Sequence, residues 1–340
     1  MDGGFMNKTM DRRSALAVLG SVGLGLASIK RSPLFAAELG SDSWTRLFPR
    51  LSEKSRGTLS RLLQDRDFSG RLPAAAVTSI SADERTTVDA LMIDLLPLAR
   101  TYSRPPISNY QVGVLARGLS GDLYLGANIE IPGHALGFSV HGEQSALSSS
   151  YMHSEKGIAA IALTAAPCGH CRQFMNEMSP SGDIQVLIAG SAPMKLSMLL
   201  PMAFGPKDLG FKDGALPVRE ANIVRPKGAL DDLTVAAWEA ARRSYAPYSK
   251  SHSGIAIRTR GGRIFSGAYI ENVAFNPSLS PLQTALVALI LAGESNTSIS
   301  KVILVETTDA AISQKSVTQA VLAALAPTAE LQLVTTTMAA

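Results

Sequence analysis

Cysteine is almost absent: the 340-residue chain holds two, and both fall in the single run Cys168-Gly169-His170-Cys171. A disulfide framework is thereby excluded beyond that one pair, and thiols reserved for a metal suit a reducing compartment. Also lacking is an excess of charge. Thirty-two basic against 28 acidic residues leave +4, and residues 1–37 (Lys8, Arg12, Arg13, Lys30 and Arg31 against Asp2 and Asp11) carry +3 of it, so the remainder is only +1. That balance offers no clustered basic face, and a nucleic-acid partner is not expected. Long apolar runs are the third lack: the uncharged stretch from Ser14 to Ile29 is short and glycine-rich for a bilayer span, so no membrane partner is expected. What is present is ample: 46% of the residues are apolar, enough for buried cores, and the length allows two domains.

Chemistry concentrates in two runs, His141-Gly142-Glu143 and Pro167-Cys168-Gly169-His170-Cys171. Together they form the H-x-E…P-C-x-x-C pattern of zinc-dependent nucleobase deaminases. One imidazole (His141) and two thiolates (Cys168 and Cys171) give a tetrahedral Zn²⁺ three protein ligands and leave one position open, the count that a catalytic site needs. Two thiolates also neutralise the ion, and a His/Cys₂ set leaves it more Lewis-acidic than three thiolates would. Glu143, a poor ligand beside thiolates, is left free to move protons as general acid and base. Residues two apart do not share a helix face, so His141 and Glu143 converge on one ion only if it lies off a helix end. The spacing therefore predicts a helix starting at the first motif, and a second helix starting at the cysteines and running through Arg172 to Met175. Both positive helix ends would face the metal and favour thiolate.

The stretches Pro106 to Tyr110, Gly126 to Glu130, His141 to Ala146 and Pro167 to Phe174 resemble the cytidine deaminases, specifically the dimeric class with two deaminase-like domains per chain. The likeness runs from about residue 45 to the end. It implies one Zn²⁺ per chain, hydrolytic deamination of cytidine and 2′-deoxycytidine, a homodimer and a cytoplasmic setting. It further implies that Asn128 and Glu130 hold the ribose hydroxyls, that Tyr110 packs near the pyrimidine, and that the segment of Phe204 reaches toward a neighbouring active site. On composition alone Asn128 and Glu130 are polar residues at a strand end, Tyr110 a core residue, and Leu200 to Pro206 a Pro/Gly turn with one buried Phe. A carboxylate bonded to a 3′-hydroxyl would repel a phosphate there, so Glu130 argues for a free nucleoside substrate. In this scheme Glu143 protonates ring N3 and relays a second proton to the leaving amine.

Along the chain, residues 1–43 read as an extension. Asp11-Arg12-Arg13, the apolar stretch and Ala36-Ala37 have the layout of a twin-arginine export signal, with Phe35 at −3 and Lys30-Arg31 as misfits; an extension without that role, or a start codon placed too early, is the alternative. Residues 44–100 carry apolar residues at helical spacing (Leu59, Leu62, Leu63; Val88, Leu91, Met92, Leu95, Leu96), broken at Ser69-Gly70 and Pro73, and predict a helical segment. The catalytic domain is expected over 101–206, with strands at Val112 to Ala116 and Leu123 to Ala127 joined as a hairpin, then Ile158 to Thr164 and Ile184 to Ile188. A linker follows over 207–231. Residues 232–340 repeat the first copy: Pro247 to Glu271 matches Pro106 to Glu130 with its glycines in step, yet Ser280-Pro281-Leu282 stands where His141-Gly142-Glu143 stood and no cysteine follows. This copy has the fold without the metal site. Alternating helices and strands predict a three-layer α/β/α sandwich with a mixed sheet in each of the two tandem copies. His134, His153, His170 and His252 lack ligand spacing and read as solvated or incidental.

A rival reading takes Cys168-Gly169-His170-Cys171 as the dithiol of a thiol–disulfide oxidoreductase. Pro167 stands where such enzymes usually carry Trp, and the rival leaves His141-x-Glu143 and Asn128-x-Glu130 unexplained.

Overall fold

The computed structural model describes residues 41–178, 184–308 and 310–339. The export-signal reading of residues 11–37 lies outside the described residues. Ahead of the first large sheet come α1 (Ser41–Leu47), α2 (Glu53–Gln64), the short strand β1 (Arg71–Leu72), α3 (Ala74–Asp83), α4 (Val88–Asp94) and α5 (Leu96–Arg100). Ser52 and Thr87 cap α2 and α4 through their hydroxyls, and the apolar stripe of Leu59, Leu63, Leu91, Met92 and Leu95 is buried. Helix α3 begins directly after the predicted break at Pro73, within the helical segment expected over 44–100. Its alanine-rich start follows Pro73 and has no capping side chain of its own; Asp122 supplies the acceptor from across the fold, taking the Ala74 N–H at 2.7 Å.

The first sheet comprises β1, β2 (Gly113–Gly118), β3 (Leu123–Ala127), β4 (Ile158–Leu163), β5 (Gln185–Ile188) and β6 (Met194–Lys195), in the order β1-β3-β2-β4-β5-β6. The second comprises β7 (Ser253–Thr259), β8 (Ile264–Ala268), β9 (Ile299–Thr307) and β10 (Glu330–Thr336), in the order β10-β9-β7-β8. Each has an antiparallel hairpin, an antiparallel third strand and a parallel fourth, so the sequence repeat is a structural repeat. The other helices are α6 (Gly142–Met152), α7 (Gly169–Met178), α8 (Leu196–Leu199), α9 (Asp232–Arg242), α10 (Pro281–Leu291) and α11 (Lys315–Leu325).

The central strands of each sheet are covered on both faces, which is why Ile158 to Leu163 is an unbroken apolar run rather than an alternating one, while the edge strand β10 stays largely exposed. Two glycines mark how close the layers come. A Cβ on Gly126 would lie 2.3 Å from the Ala146 nitrogen of α6, while one on Gly113, on the opposite face, would lie 2.7 Å from the Arg100 nitrogen of α5. The same positions recur in the second copy, where Gly267 abuts α10 and Gly254 abuts α9. Each copy is therefore a helix/sheet/helix sandwich. The copies also pack on one another: Leu282, Leu286 and Leu289 of α10 share one continuous core with Ala146 and Leu147 of α6. Fully burying a leucine stabilises by about 1.5–3 kcal/mol, so this shared layer is a large part of what holds the copies together. The intervening stretch is tied to both: Ala215 donates to Glu177 O at 2.9 Å and Val224 to Thr337 O at 2.9 Å.

Candidate active site

His141 stands outside α6 as its extended N-cap residue (φ −79°, ψ 156°), with Glu143 in the first turn. The i, i+2 difficulty disappears in this way, because one side chain leaves before the helix begins. Cys168 immediately precedes α7 and Cys171 lies in its first turn. His141 Nδ1 is 3.5 Å from Cys168 Sγ and 3.3 Å from Cys171 Sγ, and the two sulfurs are 3.4 Å apart. The edges of a tetrahedral Zn²⁺ site built from such ligands are about 3.5–3.8 Å, so this slightly tighter triangle fits the ion with a small opening. The Cys171 S–H and His141 hold the Cys168 thiol down to about 3, while Cys171 itself is pushed up by its bond to Cys168 and by burial. A bond to Cys168, outweighing burial, raises His141. A divalent cation takes its thiolate and imidazole ligands deprotonated, so its binding at these donors would release protons.

Glu143 is 5% exposed, and burial raises its carboxyl above the ordinary carboxylate range. A raised carboxyl is a better proton acceptor than an ordinary carboxylate, as acid–base work requires. It lies at a cavity of about 450 Å³ whose lining also includes His141, Cys168, Tyr110, Asn128 and Glu130. Six of the eight residues singled out from sequence thus meet at one cavity. Cys171 is buried behind it. Phe204 does not line it: this side chain is half exposed, against the sequence expectation of a buried Phe, and its carbonyl accepts from Gln173 Nε2 at 2.8 Å.

The cavity wall from Ile107 to Val112 is clamped by the two residues read as ribose contacts. Asn128 Oδ1 accepts from Ser103 Oγ at 2.5 Å and from Val112 N at 2.9 Å, and its amide donates to Tyr110 O at 2.9 Å. The Glu130 carboxylate accepts from Ile107 N at 2.8 Å, Ser108 N at 2.9 Å and Ser108 Oγ at 2.5 Å. Burial opposes ionisation of Glu130, but the bonds from Ser108 and Ile107 prevail and its carboxyl is lowered. Both residues are therefore structural at a strand end and also line the cavity.

Sequence reading passed over several residues. Ser108 was legible as the hydroxyl in a loop whose second copy carries Ser249. Gln144, whose Oε1 accepts the His141 N–H at 3.1 Å, stands at the position of a capping box. Arg172 binds Pro167 O at 2.9 Å and Leu199 O at 2.8 Å, fixing the cysteine loop; nothing in the sequence marks those partners. Three of the histidines read as solvated or incidental are half-buried and have local partners. His153 bonds Ser69 Oγ and Ser149 O, each at 2.8 Å, and His252 bonds Ser244 Oγ at 2.8 Å, so burial is compensated locally. The His170 ring stacks on His141 with centroids 5.4 Å apart.

Residues 86–187 and 196–319 match the family description "Cytidine and deoxycytidylate deaminase zinc-binding region". The cytidine deaminase of Cronobacter sakazakii is 45% identical over 288 residues, covering 85% of this chain and 97% of that protein. That of Salmonella paratyphi A is 43% identical over 278 residues, covering 82% of this chain and 94% of its own. Among solved structures, the cytidine deaminase of Burkholderia pseudomallei is 28% identical, with a TM-score of 0.31, covering 34% of this chain and 98% of its own. Nearly the whole length of the curated relatives is spanned, both copies match, and the zinc donors converge: the chain belongs to the cytidine deaminase family.

Proposed function

We propose that this chain removes the 4-amino group of cytidine and 2′-deoxycytidine by hydrolysis, releasing ammonia and the uridine nucleoside. The observation that carries the reading is the His141, Cys168 and Cys171 triangle with buried Glu143 beside it at one cavity. When bound there, Zn²⁺ supplies the Lewis acidity that ionises water near neutral pH. Glu143 protonates pyrimidine N3 and later carries the second proton to the departing amine, so it binds the transition state better than the ground state. Asn128 and Glu130 face the sugar, and Tyr110 flanks the base. A free nucleoside is favoured over a polynucleotide because a phosphate at the 3′ position would meet the ionised Glu130. The thiol–disulfide alternative gains no support, since the relatives are deaminases and both sulfurs converge on His141.

The assembly is a homodimer. Supporting this are four exposed apolar side chains within a short stretch of sequence, Met198, Met202, Phe204 and Leu209. We place the domain limits at an extension over 1–43, a helical segment over 44–100, the catalytic domain over 101–206, a linker over 207–231 and the silent copy over 232–340.

The test is conversion of cytidine to uridine, followed by absorbance and ammonia release, in wild type and Glu143→Gln. The variant keeps all three ligands and is expected to retain one zinc per chain. Its rate falls by at least ~10²–10⁴, the usual worth of general acid–base transfer. Wild-type turnover by the variant would defeat the mechanism, and insulin reduction by the wild type, insensitive to chelator, would restore the dithiol reading.

A further inference from the structure

Each half of the split metal site is held from the copy that has none. On the histidine side, Gln144 accepts the His141 N–H through Oε1 and donates through Nε2 to Pro277 O at 3.1 Å. The second copy returns the contact: Gln283 accepts the Ser280 N–H at 2.9 Å and donates to Phe138 O at 2.9 Å. Phe138 closes the 3₁₀ turn Leu136–Phe138 and stands three residues before His141, so the segment entering α6 is fixed on both flanks.

On the cysteine side, Glu177 of α7 is buried with 0% exposure and accepts from Tyr245 Oη at 2.8 Å, Tyr248 Oη at 2.6 Å and Val273 N at 2.9 Å. All three donors belong to the second copy, as does Asn272, whose amide donates to Gln173 O at 3.2 Å. A buried carboxylate is tolerated only with such partners. This clamp is one-sided. In the register that sets Glu271 against Glu130, the first copy has Arg104 and Ile107 where the second has Tyr245 and Tyr248. The tyrosines thus have no mirror image, and what they hold is the helix bearing Cys171.

We propose that the metal-less copy positions the active site, Gln283 fixing the His141 segment and the Tyr245–Tyr248 pair fixing α7 through Glu177. These are positioning residues, acting through the ligands; the proposal rests on the deaminase reading for what the site then does. Outer partners that orient metal ligands typically contribute 10–100-fold to affinity or activity.

The test uses the full chain with Gln283→Leu and with Tyr245→Phe combined with Tyr248→Phe. A control is Trp238→Phe, on α9 in the small separate core under Ile303 and Val305. Zinc affinity is measured by chelator competition, and the ligand field by the visible bands of the Co²⁺-substituted protein. Both clamp variants are expected to bind zinc about 10-fold or more weakly, with shifted cobalt bands, and to lose kcat more than KM. The control changes only the unfolding midpoint. Clamp variants that lower that midpoint while keeping wild-type zinc affinity and cobalt bands, measured well below unfolding, would overturn the proposal. Should the double variant not fold, Tyr248→Phe alone leaves Glu177 two donors and is read the same way. If the wild type binds zinc and the cobalt bands shift in the variants, yet no cytidine is turned over, the positioning role stands and the deaminase reading fails.

Discussion

Under the proposed function, Glu130 answers to two demands at once. Its carboxylate holds the 107–108 loop through three short bonds, and the same group faces the cavity. The second copy isolates the first demand: Glu271 accepts from Tyr248 N at 2.8 Å and Ser249 N at 3.1 Å although no chemistry remains there. A glutamine at 130 offers one oxygen where the carboxylate offered two, so at least one loop donor loses its partner, and bonds to a charged acceptor contribute about 1.5–3 kcal/mol. For Glu130→Gln we therefore expect KM for cytidine to rise by roughly 10-fold or more, with kcat less affected. Removal of the negative charge should at the same time narrow the disadvantage of a 3′-phosphorylated substrate. An unchanged KM would remove Glu130 from substrate binding. Residues such as this were legible because type and position agree with the resemblance; Glu177 was not, since its partners Tyr245, Tyr248 and Val273 are brought to it only by the packing of the two copies.

At the scale of elements, the starts of α6 and α7 were readable because metal ligation dictates them: His141 and Glu143 demand a helix end, and Cys168 and Cys171 a first turn. The hairpin of β2 and β3 was readable from its glycines, but what pins its far end was not. Glu155, 3% exposed, accepts from Tyr124 Oη at 3.0 Å, Lys156 N at 2.7 Å and the Ser120 hydroxyl. A Cβ on Gly118 would strike its carboxylate, which ties the strand, its bulge and the loop into one unit. Burial raises the Glu155 carboxyl, yet these bonds outweigh it and the net shift is downward. A carboxylate lowered on folding contributes stability that is fully present above its unfolded pKa, about 4.3, and lost as pH falls through the folded value. Glu155→Gln should accordingly lower the urea midpoint at neutral pH, and the gap to wild type should shrink as the solution is acidified below about pH 4. A gap independent of pH would show that Glu155 acts through packing alone.

For the whole molecule, the question is what remains when the silent copy is removed. Its α10 lies against α6, and Leu279, Leu282, Leu286, Leu289 and Ile290 belong to the same core as the catalytic sheet. Polar contacts run in the same direction, through Gln283 to Phe138 O and Tyr245 and Tyr248 to Glu177. A chain ending near Leu230 would uncover that apolar face and leave Glu177 buried or half buried without its donors, and exposed faces of this kind drive association. We expect the truncated chain to aggregate or to persist as an inactive species with impaired zinc binding, whereas Glu271→Gln in the intact chain, which keeps an oxygen for the Tyr248 N–H and leaves the Tyr245 and Tyr248 hydroxyls on Glu177, should largely spare zinc and catalysis while lowering stability. The measurements are light-scattering mass, zinc stoichiometry and cytidine turnover on both proteins. A soluble, zinc-loaded and fully active fragment would mean that the first copy is self-sufficient, and that neither the shared core nor the cross-copy bonds are needed to keep His141, Cys168 and Cys171 converged.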